Sequence, residues 1–268
     1  MSKGALLFAF NTDTVDYFSM AVYTAKRINH FLNLPVTVIT DNIENTINCD
    51  YQFDNVIYTD SDHSNFKDNK VWLNKGRYQA FDDSPYDETL LLDTDYIVNS
   101  DKLLSLFSFY DDLSCHNSTN FILSPNEPQE TIGKHGFNTL WATVILFRKT
   151  DRVKQIFECM KMIQDNYDHY VKLYGMYKPM YRNDYSLGIA QHIVNGHMDV
   201  VSDYIPWDLQ HVGKNTLVKK NSNDFFNTEY TIAYKLDEPD VQKNEYIIVK
   251  DFDFHMLDKD NFMELINE

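Results

Sequence analysis

The stretch ETLLLDTDYIVNSD, Glu88–Asp101, carries two carboxylates, Asp93 and Asp95, straight out of a run of leucine. An apolar run bounded by polar residues reads as a strand buried on both faces, the kind found in a parallel sheet covered by helices. In an extended segment residues two apart point to the same side, so Asp93 and Asp95 are expected to face one point in space. Carboxylates that close repel unless a cation sits beside them. A hard divalent ion held by Asp oxygens commonly completes its shell with substrate phosphate oxygens. The plainer alternative, in a chain this acidic, is that Asp93 ends the strand and Asp95 occupies a turn.

The segments before this stretch repeat its pattern. GALLFAF reads as a buried strand, NTDTVDYFSMAVYTAKRINHFL as a loop and a helix capped by Thr12, Asp13 or Thr14, and PVTVITD as a second strand. YQFDNVIYTD gives a third strand, WLNKGRYQAFDDS a helix and YDETLLLDTD the fourth strand. This alternation predicts an α/β fold, a mostly parallel central sheet flanked by helices, with ligands gathered at the carboxyl ends of the strands. That edge would unite Phe10–Asp13, Thr40–Asn42 and Asp93–Asp95.

The second half is less regular. A short helix is expected near Asp101–Phe109, strands in NFILSPNE and LWATVILFRKTD, and helices over Asp151–Tyr174 and Asp184–Asn195. The tail EYIIVKDFDFHMLDKDNFMELINE reads as a strand ending in a His-bearing turn, then a short helix. No repeat or linker separates the halves, so one domain over 1–268 is expected.

Among the 268 residues the hydrophobic fraction is 43%, with Tyr and Phe at 18 each, which excludes a disordered chain. The net charge of −16 argues against bulk attraction to phosphate backbones or anionic membranes. Cys49, Cys115 and Cys159 fit neither a disulfide framework nor a zinc cluster and point to a reducing cytoplasm. The opening apolar run is too short for a signal-peptide core, and no stretch has the length of a spanning helix, so a soluble chain without membrane insertion is expected. No G-x-S-x-G, P-loop or G-x-G-x-x-G occurs, which removes several enzyme classes.

An apolar strand followed by D-x-D and an apolar YIV resembles the sugar-nucleotide glycosyltransferases of the GT-A fold. GALLFAFNTDTVDYF is similar to their opening strand and nucleotide-binding loop, LNKGRYQAFD to the basic helix before the motif, and FDFHMLDK to a late metal-binding histidine. The layout resembles the retaining, galactosyltransferase-like family 8 that includes glycogenin. HMLDK lacks the Gly of that family's H-x-x-G-x-x-K and brings the Lys two residues nearer.

The resemblance implies that Asp93, Asp95 and His255 bind Mn2+ or Mg2+, and an imidazole favours Mn2+ over Mg2+. It gives Lys259 the diphosphate, 1–100 the role of nucleotide-sugar-binding half, and 101–268 that of acceptor-side half with a C-terminal metal-binding segment. At the sheet edge Phe10, Asn11, Thr12 and Tyr17 are candidates for base and ribose, joined by Asp41 and Thr94; Lys75 and Arg77 are candidates for phosphate or sugar hydroxyls. Phe10 is equally a core residue and the two cations equally a solvated helix face. Asp184, with Asn183 beside it, falls where the family holds the donor sugar; either residue also suits a helix N-cap. Asn138 and Trp141 lie toward the acceptor, Trp141 as a stacking surface or as core.

The expected activity is metal-dependent transfer of a hexosyl or pentosyl group from a nucleoside diphosphate sugar, UDP-linked by resemblance, to a hydroxyl, with retention. A glycan, lipid, protein or modified DNA base is the expected acceptor. The chain also resembles phage-encoded glycosyltransferases, which would place it in host cytoplasm, and Lys214, Lys219 and Lys220 form a small basic group. A sugar-phosphate nucleotidyltransferase is the first rival, yet FNTDTVDYF has no glycine for that class's loop. A non-catalytic sugar-nucleotide-binding protein is the second.

Overall fold

A computed structural model describes the chain apart from residues 60–64, 68–69, 73–75, 110, 125–129, 134–135, 178–179, 199–202, 236–245 and 268, and the side chains of 65–67 and 70–72. The first part runs β1 (Lys3–Phe8), α1 (Tyr17–Leu32), β2 (Val36–Thr40), α2 (Ile43–Asn48), β3 (Asn55–Tyr58), β4 (Asn65–Lys67) and β5 (Lys70–Trp72). A 3-10 turn at Arg77–Gln79 leads to α3 (Ala80–Asp83), β6 (Glu88–Leu92) and β7 (Tyr96–Ile97). After a 3-10 helix at Lys102–Ser108 come β8 (Leu113–His116), β9 (Thr119–Phe121), β10 (Trp141–Arg148), α4 (Asp151–Asp165), α5 (Tyr167–Leu173) and α6 (Asn183–Val194). The chain closes with β11 (Leu209–Val212), β12 (Thr216–Lys220), β13 (Glu229–Tyr234), β14 (Tyr246–Lys250), β15 (Phe254–Met256) and α7 (Lys259–Asn267).

The central sheet has the order β3-β2-β1-β6-β10-β8. Its first four strands are parallel, and β10 is antiparallel to both β6 and β8. The leucine run explains why this sheet is covered twice. Leu91 faces one core with Leu6 and Ile145, under Val153, Ile156 and Ile189 of α4 and α6. Leu90 and Leu92 face the other with Ala5, Leu7 and Val144, under Ala21, Ala25 and Ile28 of α1. All three leucines are fully buried, each contributing roughly 2 kcal/mol through area removed from water.

Two smaller sheets build the carboxyl edge. One has the order β7-β15-β11-β9; the other is the antiparallel meander β12-β13-β14. The meander packs Val218, Tyr230 and Ile232 against Met20 and Tyr23 of α1 and Phe262 and Leu265 of α7. Arg27, fully buried on α1, clamps this region. It donates to the carbonyls of Val98 (2.8 Å), Phe225 (2.6 Å) and Asn227 (3.0 Å), and to Asn99 Oδ1.

Several local expectations are corrected. The N-cap of α1 is Asp16, whose Oδ1 accepts from Ser19 N at 3.0 Å; Thr12 instead accepts from Val15 N and shapes the preceding turn. The helix expected across WLNKGRYQAFDDS starts only after Gly76, whose φ of 86° interrupts the chain, while Trp72 belongs to β5. The expected Asp151–Tyr174 helix breaks at Asn166, whose side chain donates back to the Met162 carbonyl. In the tail, Asp251 at φ 52° ends β14 and lets a new strand begin, so His255 stands in β15 rather than in a turn. The NFILSPNE strand stops at Phe121, before Leu123 at φ 72°.

Candidate metal and nucleotide site

Asp93, Thr94 and Asp95 follow β6 in a turn, not in the extended segment expected. Asp93 N donates to Thr143 O at 2.9 Å, and Tyr96 N closes the turn on Asp93 O at 3.2 Å. The turn still brings both carboxylates to one place. Thr94 is buried, its carbonyl accepting from Thr24 Oγ1 at 2.7 Å, so its anchoring to α1 fixes the turn. β15 pairs His255 with Tyr96 on one side and with His211 of β11 on the other. One ligand atom from each of Asp93, Asp95 and His255 then lies within 4.8 Å of the others.

Two cations compensate the carboxylates. Arg77 Nη1 pairs with Asp93 Oδ1 at 2.6 Å, while Nη2 donates to Ala142 O at 2.7 Å. Lys259, the first residue of α7, pairs with Asp95 and donates to Met256 O at 3.0 Å. Burial works to raise the Asp93 carboxyl, but the charges of Arg77, His255 and Lys259 carry the net shift downward. Burial pushes Lys259 down to about 8 against the pull of Asp93. Burial also lowers His255, and His211 to about 2, so both rings are neutral at pH 7. Tyr17 is raised by burial and by the negative charge of Asp93, which places its hydroxyl within the same field.

Two carboxylates and a neutral imidazole form the donor set of a divalent cation that accepts both oxygen and nitrogen. His255 Nε2 lies 3.0 Å from Asp95 Oδ2, so the ring's outer nitrogen already faces the carboxylates. These residues fit such an ion.

Asp184 joins from the far side. The expected cap is corrected: α6 begins at Asn183, its N-cap Arg182 makes no side-chain cap bond, and Asp184 reaches across to β10 instead. Asp184 Oδ1 accepts from Ala142 N at 2.8 Å, and Oδ2 accepts from Arg182 Nε (3.0 Å) and Nη2 (2.6 Å). Asn183 is buried, accepting from the Tyr181 hydroxyl at 3.2 Å. The Arg182 guanidinium lies 5.6 Å from the Trp141 ring, and the His211 ring lies 4.5 Å from it. Trp141 is thus packed into the wall of the site.

The first loop is bonded largely to itself. Asn11 Nδ2 donates to Asp16 Oδ1 and its Oδ1 accepts from Phe18 N, both at 2.8 Å. Phe10 is a core residue at 8% exposure. Asp41 is exposed beyond β2, and Lys75 lies outside the described residues. Lys214 and Lys219 are exposed, whereas Lys220 sits over the Tyr23 ring at 5.7 Å. Cys49, Cys115 and Cys159 are all free thiols. His211 and the role of Arg182 escaped the sequence reading. Arg182 adjoins Asp184 in sequence, but His211 is marked only by strand alternation in LQHV.

No family model matches the chain, and no curated protein matches it in sequence. Among solved structures, the galactosyltransferase LgtC in complex with donor and acceptor sugar analogs is 14% identical, with a TM-score of 0.53 over 98% of this chain and 95% of that one. The chain has the GT-A fold. An active-site mutant of LgtC gives 15% identity and a TM-score of 0.48 over 69% of each chain. The glycosyltransferase GlyE of Streptococcus pneumoniae TIGR4 gives 16% identity and a TM-score of 0.41 over 76% of this chain. The chain spans 45% of the length of GlyE. Among the described residues no helix is long and apolar enough to cross a membrane.

Proposed function

We propose that the chain is a metal-dependent glycosyltransferase that moves a hexosyl or pentosyl group from a nucleoside diphosphate sugar, UDP-linked, to a hydroxyl acceptor with retention. The observation that carries this reading is the convergence of Asp93, Asp95 and His255 within 4.8 Å at the carboxyl edge of a GT-A sheet. These three residues would hold Mn2+, whose positive charge would offset that of a departing diphosphate. Lys259 and Arg77 add positive charge at the same edge, with Lys259 the diphosphate contact once Asp95 has another counterion. Asp184 anchors the donor sugar. Both of its oxygens are held by Ala142 and Arg182, which favours orientation over attack as a nucleophile. Tyr17 flanks the diphosphate, and the loop of Phe10, Asn11 and Thr12 shapes the nucleoside pocket.

A thermal-shift titration of UDP, GDP, CDP and ADP, each with and without Mn2+, tests the proposal. UDP is expected to stabilise the chain only when Mn2+ is present, by about 2.7 kcal/mol at a hundred times its Kd. The Asp93→Asn, Asp95→Asn double variant should lose that gain. An equal shift without metal would overturn the metal dependence.

A further inference from the structure

We infer that His211 is a positioning residue for His255, a proton-exchanging partner that lets the ring turn its Nε2 lone pair to Asp93 and Asp95 when a cation binds. The inference rests on the divalent-cation reading above and extends it to a residue outside the ligand set.

His211 stands beside His255 in the parallel β11–β15 register and is fully buried. The two Nδ1 atoms are 3.0 Å apart, and on the opposite side of the ring His255 Nε2 is 3.0 Å from Asp95 Oδ2. Two neutral imidazoles facing each other in this way share one proton between their Nδ1 atoms. In the first arrangement His211 Nδ1–H donates to His255, and His255 Nε2–H donates to Asp95. In the second His255 Nδ1–H donates to His211, the His255 Nε2 lone pair faces the carboxylates, and the His211 proton sits on its own Nε2. Only the second arrangement offers a ligand to a cation.

The exchange balances: one proton leaves His255 Nε2, the shared proton crosses to His255 Nδ1, and one proton arrives at His211 Nε2. Metal-bound histidines usually lean on a carboxylate or a carbonyl, which can only accept and so locks one form. An imidazole partner can donate or accept. The pair therefore supports both the cation-free state, in which Asp95 receives a donor, and the cation-bound state, in which it does not. The receiving nitrogen, His211 Nε2, has no hydrogen-bond partner among the described residues and is packed by the rings of Phe121 (5.0 Å) and Trp141 (4.5 Å). That enclosure disfavours a proton there until a cation demands it, since an orphaned buried N–H is costlier than an orphaned lone pair.

The chain labelled with 15N-histidine and titrated with Mg2+ in the presence of UDP tests this, because imidazole 15N shifts report which nitrogen carries the proton. The His211 proton is expected to move from Nδ1 to Nε2 as Mg2+ binds. Mn2+ affinity followed by electron paramagnetic resonance should fall tenfold or more in His211→Phe. It should recover in His211→Gln, whose side-chain oxygen can accept from His255 Nδ1. A His211 proton that stays in place while Mg2+ binds overturns the inference, as does unchanged Mn2+ affinity in His211→Phe. The labelling experiment needs no variant, so a substitution that fails to fold leaves the test standing. Absence of Mn2+ and Mg2+ binding by the unaltered chain removes the metal reading itself, and the role of His211 with it.

Discussion

The N–H of Ala142 donates to Asp184 Oδ1 over 2.8 Å, while the carbonyl of the same residue accepts from Arg77, the partner of Asp93. A single residue at the start of β10 thus ties helix α6 to the acidic turn. Asp184→Asn keeps one oxygen but turns an amide N–H₂ toward either Ala142 N or Arg182, both donors. The expected outcome is donor turnover lower by about 10²-fold through misplacement of the sugar, with affinity for the nucleoside diphosphate unchanged. Steady-state donor consumption and a parallel thermal-shift titration check this. An equal loss in nucleotide affinity would move Asp184 from the sugar to the nucleotide.

Lys259 pairs with Asp95, so its ammonium competes with any metal for that carboxylate. Lys259→Met should therefore tighten Mn2+ binding in the absence of nucleotide, by about tenfold for each 1.4 kcal/mol of competition removed, and weaken UDP binding in the presence of Mn2+. The wild-type chain should show the same gain with pH. Burial sets the Lys259 pKa at about 8, so raising pH through that value neutralises the competitor and strengthens Mn2+ binding. Calorimetric titrations at pH 7 and pH 9 check both, and the pH effect should be absent in the variant.

The core was legible because its signal is local. Leu90, Leu91 and Leu92 alternate between two covered faces, and an uninterrupted apolar strand is the sequence form of that arrangement. Asp93, Asp95 and His255 were legible as chemistry rather than as geometry: the pair sits in a turn, and a β7–β15 pairing closes the 160 residues between Asp95 and His255. His211 was illegible for the opposite reason. Its meaning lies in a register between β11 and β15, and the alternation in LQHV marks a buried face without showing that a second histidine lies on it. Asp16 outcompeted Thr12, Asp13 and Thr14 as the α1 cap because Asn11 and Ser19 both bond to its carboxylate, a network that cap preferences alone do not rank.

Arg27 is fully buried, and each of its acceptors is a neutral oxygen. Arg27→Met should retain the packing of the stem but strand the carbonyls of Val98 and Phe225 and the side-chain oxygen of Asn99 without a donor, while the Asn227 carbonyl keeps the Tyr230 hydroxyl. The expected loss is about 3 kcal/mol or more, at roughly 1 kcal/mol or above for each buried acceptor left alone. Arg27→Lys should recover little, because one ammonium cannot span the acceptors that the planar fork reaches. Urea unfolding followed by circular dichroism measures both, and a near-neutral methionine variant would show that water satisfies those oxygens.

His116 predicts an acid limb in stability. The ring is buried, Nδ1 lies 3.0 Å from Trp207 O, and burial lowers its pKa from 6.5 to about 4. Below pH 6.5 the unfolded chain binds a proton that the folded chain refuses. Folding stability therefore falls by about 1.4 kcal/mol per pH unit. The loss reaches about 3 kcal/mol near pH 4, where the folded ring also protonates. Above pH 6.5 both states hold the ring neutral and His116 adds no slope. His116→Gln keeps a donor for Trp207 O and removes the titration, so its stability relative to wild type should improve progressively as pH falls from 6.5 to 4.5. Urea unfolding of both chains across that range measures the difference, and a constant offset would mean that the folded ring titrates like an exposed one.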